Sequence, residues 1–285
     1  MTTSSTYAIA YTVLADLFEH GVPADDEARL SALLGVAVKH EPGAHYEALG
    51  LAVPPHESVF VDPEGVIGGE ASQRVVDTYT RLGFAYDVTG PAPDHLAVQL
   101  RALAATCAGA ASAQRVMLDV HLLGWVPLFA HALRGFAPYD MAASTLLGVL
   151  LEHRATLGPH RGGAPVAEVS IDLEDPKTSL RDIAAHLCRP AACGLWISRF
   201  AVTRFARGVS SSHGFGERAL MLENLMHSAA DRDALPALLT AIHVEIEELR
   251  EHLSTVPEVY AAPWLSRLER TELALNAMRH APAQC

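Results

Sequence analysis

Over residues 234–253 the apolar side chains Leu238, Leu239, Ile242, Ile246, Leu249 and Leu253 recur at steps of mostly three and four. Glu245, Glu247, Glu248 and Glu251 fall largely between them. A helix turns once in about 3.6 residues, so this spacing gathers the apolar set on one buried face and leaves the acids in water. The same rhythm returns along the chain. Tyr7, Tyr11, Leu14 and Phe18 share a face over 6–18, and Leu30, Leu33 and Leu34 point inward after Asp25 or Asp26. Val75, Val76 and Tyr79 mark a helix over 70–82 that Gly83 ends. Further helices are expected over 139–157, 197–207, 217–229 and 264–278, with a short one near 41–49 that Pro42-Gly43 interrupts. Half of the residues are hydrophobic but only 6% are aromatic, so the core must be built mainly from Ala, Leu and Val. The spacing therefore predicts an all-α bundle of roughly ten to twelve helices.

One stretch breaks the rhythm decisively. Gly158-Pro159, Gly162-Gly163 and Pro165 cannot continue a helix, and Ser179-Leu-Arg-Asp182 reads as a capping box that restarts one. The expected organisation is an N-terminal helical part over 1–157, a connection over 158–177 and a C-terminal helical part over 178–285. Residues 53–69 also lack periodicity and read as a loop that pins one aromatic, Phe60.

A net charge of −12 argues against nonspecific nucleic-acid binding, which requires phosphate neutralisation, and favours basic peptides as partners. Four cysteines make no dense framework, and the N-terminus lacks the basic start and apolar core of an export signal. Apolar runs such as Leu146-Leu147-Gly148-Val149-Leu150-Leu151 are too short to span a bilayer. The expectation is a cytoplasmic protein without integral membrane association.

The most distinctive local feature is Gly90-Pro91-Ala92-Pro93-Asp94-His95, followed by a helix carrying Leu96, Leu100, Leu103 and Cys107 on one stripe. Prolines hold the approach extended, and Asp94 stands where a carboxylate can accept from the unpaired N–H groups of a first turn. Local chemistry leaves two readings: an Asp-capped loop with an incidental imidazole, or a partly exposed acid and His forming a polar recognition point. Three further segments accompany the motif. They are Tyr11-Thr-Val-Leu14-Ala-Asp-Leu17-Phe18, then Pro54-Pro55-His56-Glu57-Ser58-Val59-Phe60-Val61-Asp62-Pro63-Glu64, and Arg189-Pro190 with Gly194 and Ser198-Arg199.

In that order, these segments resemble the TorD/DmsD/NarJ family of chaperones for twin-arginine-exported molybdoenzymes. The resemblance implies a chaperone that binds the twin-arginine signal peptide and the apo-form of a molybdenum or tungsten oxidoreductase catalytic subunit. It would hold that client until molybdopterin guanine dinucleotide is inserted, and so delay export. The resemblance makes Asp94 the main partner of a leader arginine, with Pro93 and His95 shaping the loop. His56, Ser58, Phe60 and Tyr79 would contribute to the groove. The family's leading acid and proline correspond here to Pro91 and Ala92, so Asp62 and Asp87 are the candidates for a second arginine. A monomer and a homodimer are both compatible with the sequence.

Enzyme readings find little support. Glu-x-x-His pairs and His-Glu-x-x-His are absent, and Cys188-x4-Cys193 with His186 and His213 is a poor zinc pattern. Gly214-Phe-Gly216-Glu-Arg-Ala219 follows no strand. His121, Trp125 and Phe129 share a helix face that reads as core. No catalytic residue, metal ligand or cofactor of the chain's own is expected. The alternatives are an all-α metal- or cofactor-dependent enzyme and a helical scaffold protein.

Overall fold

A computed structural model describes residues 3–35, 37–159 and 178–280. Among these the chain forms fourteen α-helices and two π-helical stretches, with one isolated β-bridge and no strand. The all-α expectation is met, and the helix count runs slightly above it. The excess lies in pieces too short to leave a periodic signal, such as α3 (Glu57–Val61), α6 (Ala111–Val116) and α10 (Pro190–Cys193). Residues 160–177 of the expected connection lie outside the described residues, as do Met1, Thr2 and Cys285.

The chain divides into two compact units, Met1–Asp62 with Val66–Pro165, and Pro63–Gly65 with Val166–Cys285. In the first, α1 (Thr3–His20) packs on α5 (Leu96–Thr106) and on α8 (Tyr139–Thr156). Tyr11, Leu14 and Phe18 of α1 are fully buried, as the four-three-four spacing requires. A polar thread crosses this packing. The Tyr11 hydroxyl lies 2.8 Å from His153 Nδ1, and His153 Nε2 lies 2.9 Å from Gln114 Oε1. The unit also holds α2 (Glu27–Leu34), the π-helix Tyr46–Ala52, α4 (Gly69–Leu82) and α7 (Val126–Ala132). Pro127 restarts the chain in the first turn of α7, where its missing N–H costs nothing. Between α6 and α7 the helix widens into π geometry over Met117–Leu122.

The second unit holds α9 (Leu180–Leu187), α10, α11 (Arg199–Gly208), α12 (Arg218–Ala230), α13 (Leu235–Ser254) and α14 (Glu258–His280). Ser179 and Asp182 make the expected capping box at α9. All six apolar residues of the α13 stripe are buried. Gly194 ends α10 in the left-handed region, at φ 78°, with space for no side chain. A Cβ there would lie 2.8 Å from Arg267 Cβ and 3.0 Å from the Trp264 carbonyl oxygen.

Candidate functional site

The two proline-rich segments, 36 residues apart in the chain at Ser58 and Asp94, form one corner of the first unit. His56 and His95 pair as an antiparallel bridge. The Glu57 N–H donates to the Asp94 carbonyl at 3.0 Å, and the Leu96 N–H donates to the Pro55 carbonyl at 2.8 Å. Prolines on both sides keep these short runs extended and supply no competing N–H.

Asp94 does not cap the helix that follows it, and it is not partly exposed as the sequence suggests. Its side chain is fully buried and reaches across to α3. Oδ2 accepts from the Ser58 N–H at 3.1 Å and from the Ser58 hydroxyl at 2.5 Å. Those are donors that a five-residue helix cannot satisfy itself. Burial works against the charged form, but the nearby His56 imidazole and the hydrogen bonds from Ser58 outweigh it, and the Asp94 carboxyl is held below its ordinary range. Oδ1 and His56 Nδ1 face each other at 3.6 Å, and neither makes a hydrogen bond at that separation.

His95 takes over the cap of α5. Its Nδ1 accepts from the Ala97 N–H at 3.1 Å, so that nitrogen must be unprotonated. Burial, then the neighbouring His56, pushes its pKa down to about 3. The His95 imidazole is therefore neutral, with any ring proton on Nε2. Its ring meets the His56 ring edge-on at 4.9 Å between centroids.

The remaining expected residues also have structural employment. The buried Tyr79 donates its hydroxyl to the Pro93 carbonyl at 2.8 Å and so ties α4 to the motif loop. Phe60 is not pinned in a surface loop but is fully buried on α3, where it stacks on Trp125 at 5.3 Å. α3 leaves no periodic signal because it has only five residues, and Asp94 stabilises it from outside. Asp62, also buried, accepts from the Ala71 N–H at 3.1 and 3.0 Å and so caps α4. Burial raises the Asp62 carboxyl despite that hydrogen bond and Arg74. Asp87 alone is exposed. It accepts from the Thr89 hydroxyl and N–H at 2.7 and 2.8 Å, which lowers its pKa, and it makes none of the corner's contacts.

Behind the corner runs a buried polar relay that periodicity and motif had not drawn together. Arg81 Nη2 donates to Thr78 Oγ1 at 2.9 Å, and Thr78 Oγ1 lies 2.9 Å from His121 Nε2. His121 Nδ1 meets Glu57 Oε2 at 3.1 Å. Gln99 Nε2 donates to the same Glu57 oxygen at 2.5 Å, and Trp125 Nε1 donates to Gln99 Oε1 at 3.3 Å. One proton arrangement satisfies every member, with His121 donating from Nδ1 and accepting at Nε2. Burial raises the Glu57 carboxyl, while His121 and Gln99 oppose the rise. Hydroxyl, imidazole and carboxylate stand in the order of a hydrolytic triad. Thr78, however, is 1% exposed within α4, and Arg81 covers its oxygen. The relay joins α3, α4, α5 and the π-helix. His121 lies within the π-helical stretch Met117–Leu122, a geometry frequent at functional sites. A cleft of about 450 Å³, lined by Arg74, Asp77, Thr78, Arg81 and His121 among others, opens beside it. Only the shared face of His121 and Trp125 hinted at this in the sequence.

In the second unit, Cys188 and Cys193 are buried thiols pushed up to about 11 and 12 by burial, and among the described residues neither belongs to a group of three potential metal ligands. His243, Glu247 and Glu272 approach one another on α13 and α14. The His243 ring presents Nδ1 to Glu272 at 3.4 Å and Nε2 to Glu247 at 4.0 Å, and Arg250 pairs with both carboxylates. That is the pattern of an interhelical ion-pair cluster.

Residues 15–131 match the family described as nitrate reductase delta subunit, a span that holds the corner and the relay. No curated protein and no solved structure matches the chain.

Proposed function

We propose, from the premise that residues 15–131 belong to the nitrate reductase delta subunit family of molybdoenzyme maturation chaperones, that this chain is a cytoplasmic chaperone of a molybdenum or tungsten oxidoreductase. It binds the client's twin-arginine leader and apo-form, assists cofactor insertion and delays export until folding is complete. The observation that carries this reading is the meeting of the two motif segments, through His56, Ser58, Asp94 and His95, inside the matched span.

Asp94, His56, Ser58, Phe60, Tyr79 and His95 serve the leader from within, by fixing the shape of the surface above them. Their burial leaves the outer rim, with half-buried Pro93 and exposed Asp87, for direct contact. The chain's net charge of −12 favours approach of a basic peptide. The test is fluorescence anisotropy of the purified chain with labelled twin-arginine leader peptides of molybdenum or tungsten oxidoreductases from the same organism. The leader should bind with an affinity that falls as salt rises, and replacing its arginine pair by alanines should weaken it. Equal binding of the leader and a scrambled peptide would remove the proposal.

A further inference from the structure

The turn between α3 and α4 carries Val66 and Ile67 at 59% and 55% exposure, side by side on the outside of the corner. Scattered exposed apolar residues are ordinary, but two adjacent branched ones on a fixed turn are not required by the fold. This turn is fixed. The Gly68 N–H donates to Ser58 Oγ at 3.1 Å, and that same hydroxyl donates to Asp94 Oδ2 at 2.5 Å. On the far side, the Asp62 carboxylate accepts from the Ala71 N–H. Gly68 and Gly69 take φ of 104° and 74°, which favours glycine, and a Cβ on Gly69 would lie 2.8 Å from Asp62 Oδ2. The carboxylates of Asp94 and Asp62 thus hold the turn from beneath, one through Ser58 and one through α4.

We propose that the Val66–Ile67 turn is the apolar docking point for the client leader, and that Asp94 is its positioning residue, acting through Ser58 and Gly68. This rests on the leader-binding reading above. The occupant is a peptide segment that is both apolar and basic. Val66 and Ile67 offer the apolar contact, while Glu70, exposed in the first turn of α4, offers a carboxylate with no ion pair among the described residues. A rigid apolar tip beside an acid complements that peptide, because little ordering is needed on binding. Asp94 then matters to binding although its carboxylate never meets an arginine.

The probe is a fluorescein-labelled peptide with an Arg-Arg pair followed by a Leu- and Ala-rich stretch, titrated into the full chain at low and high salt. Val66→Ser with Ile67→Ser should lower affinity roughly tenfold at both salts, since apolar contact is little screened. Glu70→Gln should lower it several-fold at low salt only. Ser58→Ala should weaken binding with the salt dependence retained, and hydrogen exchange at the Gly68 amide should quicken in it. Failure of the wild-type chain to bind the peptide overturns the leader reading and this one with it. Normal wild-type binding with unchanged affinity in the Val66→Ser/Ile67→Ser chain overturns only the docking assignment. Unchanged Gly68 exchange and affinity in Ser58→Ala overturns the positioning role.

Discussion

Replacing Asp94 by alanine removes the acceptor of two buried donors, the Ser58 N–H and hydroxyl. Hydrogen bonds to a charged acceptor contribute about 1.5–3 kcal/mol each, and a buried donor left unsatisfied costs about 1–3 kcal/mol. Allowing for overlap between these figures, Asp94→Ala should cost the first unit about 4 kcal/mol. Asp94→Asn keeps one carbonyl oxygen for Ser58, and its amide can turn an N–H toward His56 Nδ1, which faces Asp94 Oδ1 at 3.6 Å. That change exchanges charged for neutral hydrogen bonds and should cost about 1 kcal/mol. Urea unfolding followed by Trp125 fluorescence would measure both. Trp196 and Trp264 are the chain's other tryptophans, and replacing them by Phe throughout leaves Trp125 as the reporter of the first unit. A loss below about 1 kcal/mol for Asp94→Ala, or equal losses for the two variants, would refute the role of Asp94 as the cap of α3.

Acid should act through His95. Its folded pKa, about 3, lies below the ordinary 6.5, so the unfolded chain binds the extra proton. The stability it contributes is present above pH 6.5 and is lost as pH falls toward 3. From pH 7 to 5.5 the loss should be about 1 kcal/mol, and His95→Asn should abolish that part of the slope in urea unfolding. Thr78→Val keeps the shape of α4 but leaves His121 Nε2 without its hydroxyl partner, at a cost of about 1–3 kcal/mol in the same assay. Gly194→Ala in the second unit meets both a positive φ and the Arg267 side chain, so it should lower that unit's stability by about 2 kcal/mol or more, read from Trp264 fluorescence in a chain that keeps Trp264 and carries Phe at the other two tryptophan positions.

Much of the helical order can be read directly from spacing. The α13 stripe, the Gly83 end of α4 and the Ser179–Asp182 capping box depend on neighbours within a few residues, and such neighbours are visible in a sequence. The candidate site is different because its partners are distant in sequence. Asp94 serves a helix 36 residues earlier, and Glu57 meets His121 across 64. An aspartate after a proline reads as an exposed cap of its own helix. Here the bridge between His56 and His95 turns it inward and passes the cap to an imidazole. α3 escapes periodicity because five residues give little more than one turn, and its stability comes from Asp94 outside it. The motif segments were legible, but their shared corner depends on tertiary pairing that no local pattern encodes.

The claim that the chain holds an immature client is tested most directly by mass photometry. The purified chain would be mixed with the catalytic subunit of each molybdenum oxidoreductase of the same organism, prepared with its leader, either lacking or carrying the molybdenum cofactor. A complex is expected with the apo-subunit, and it should be absent, or many times weaker, with the loaded subunit. Equal binding to both forms, or binding to neither, would contradict it.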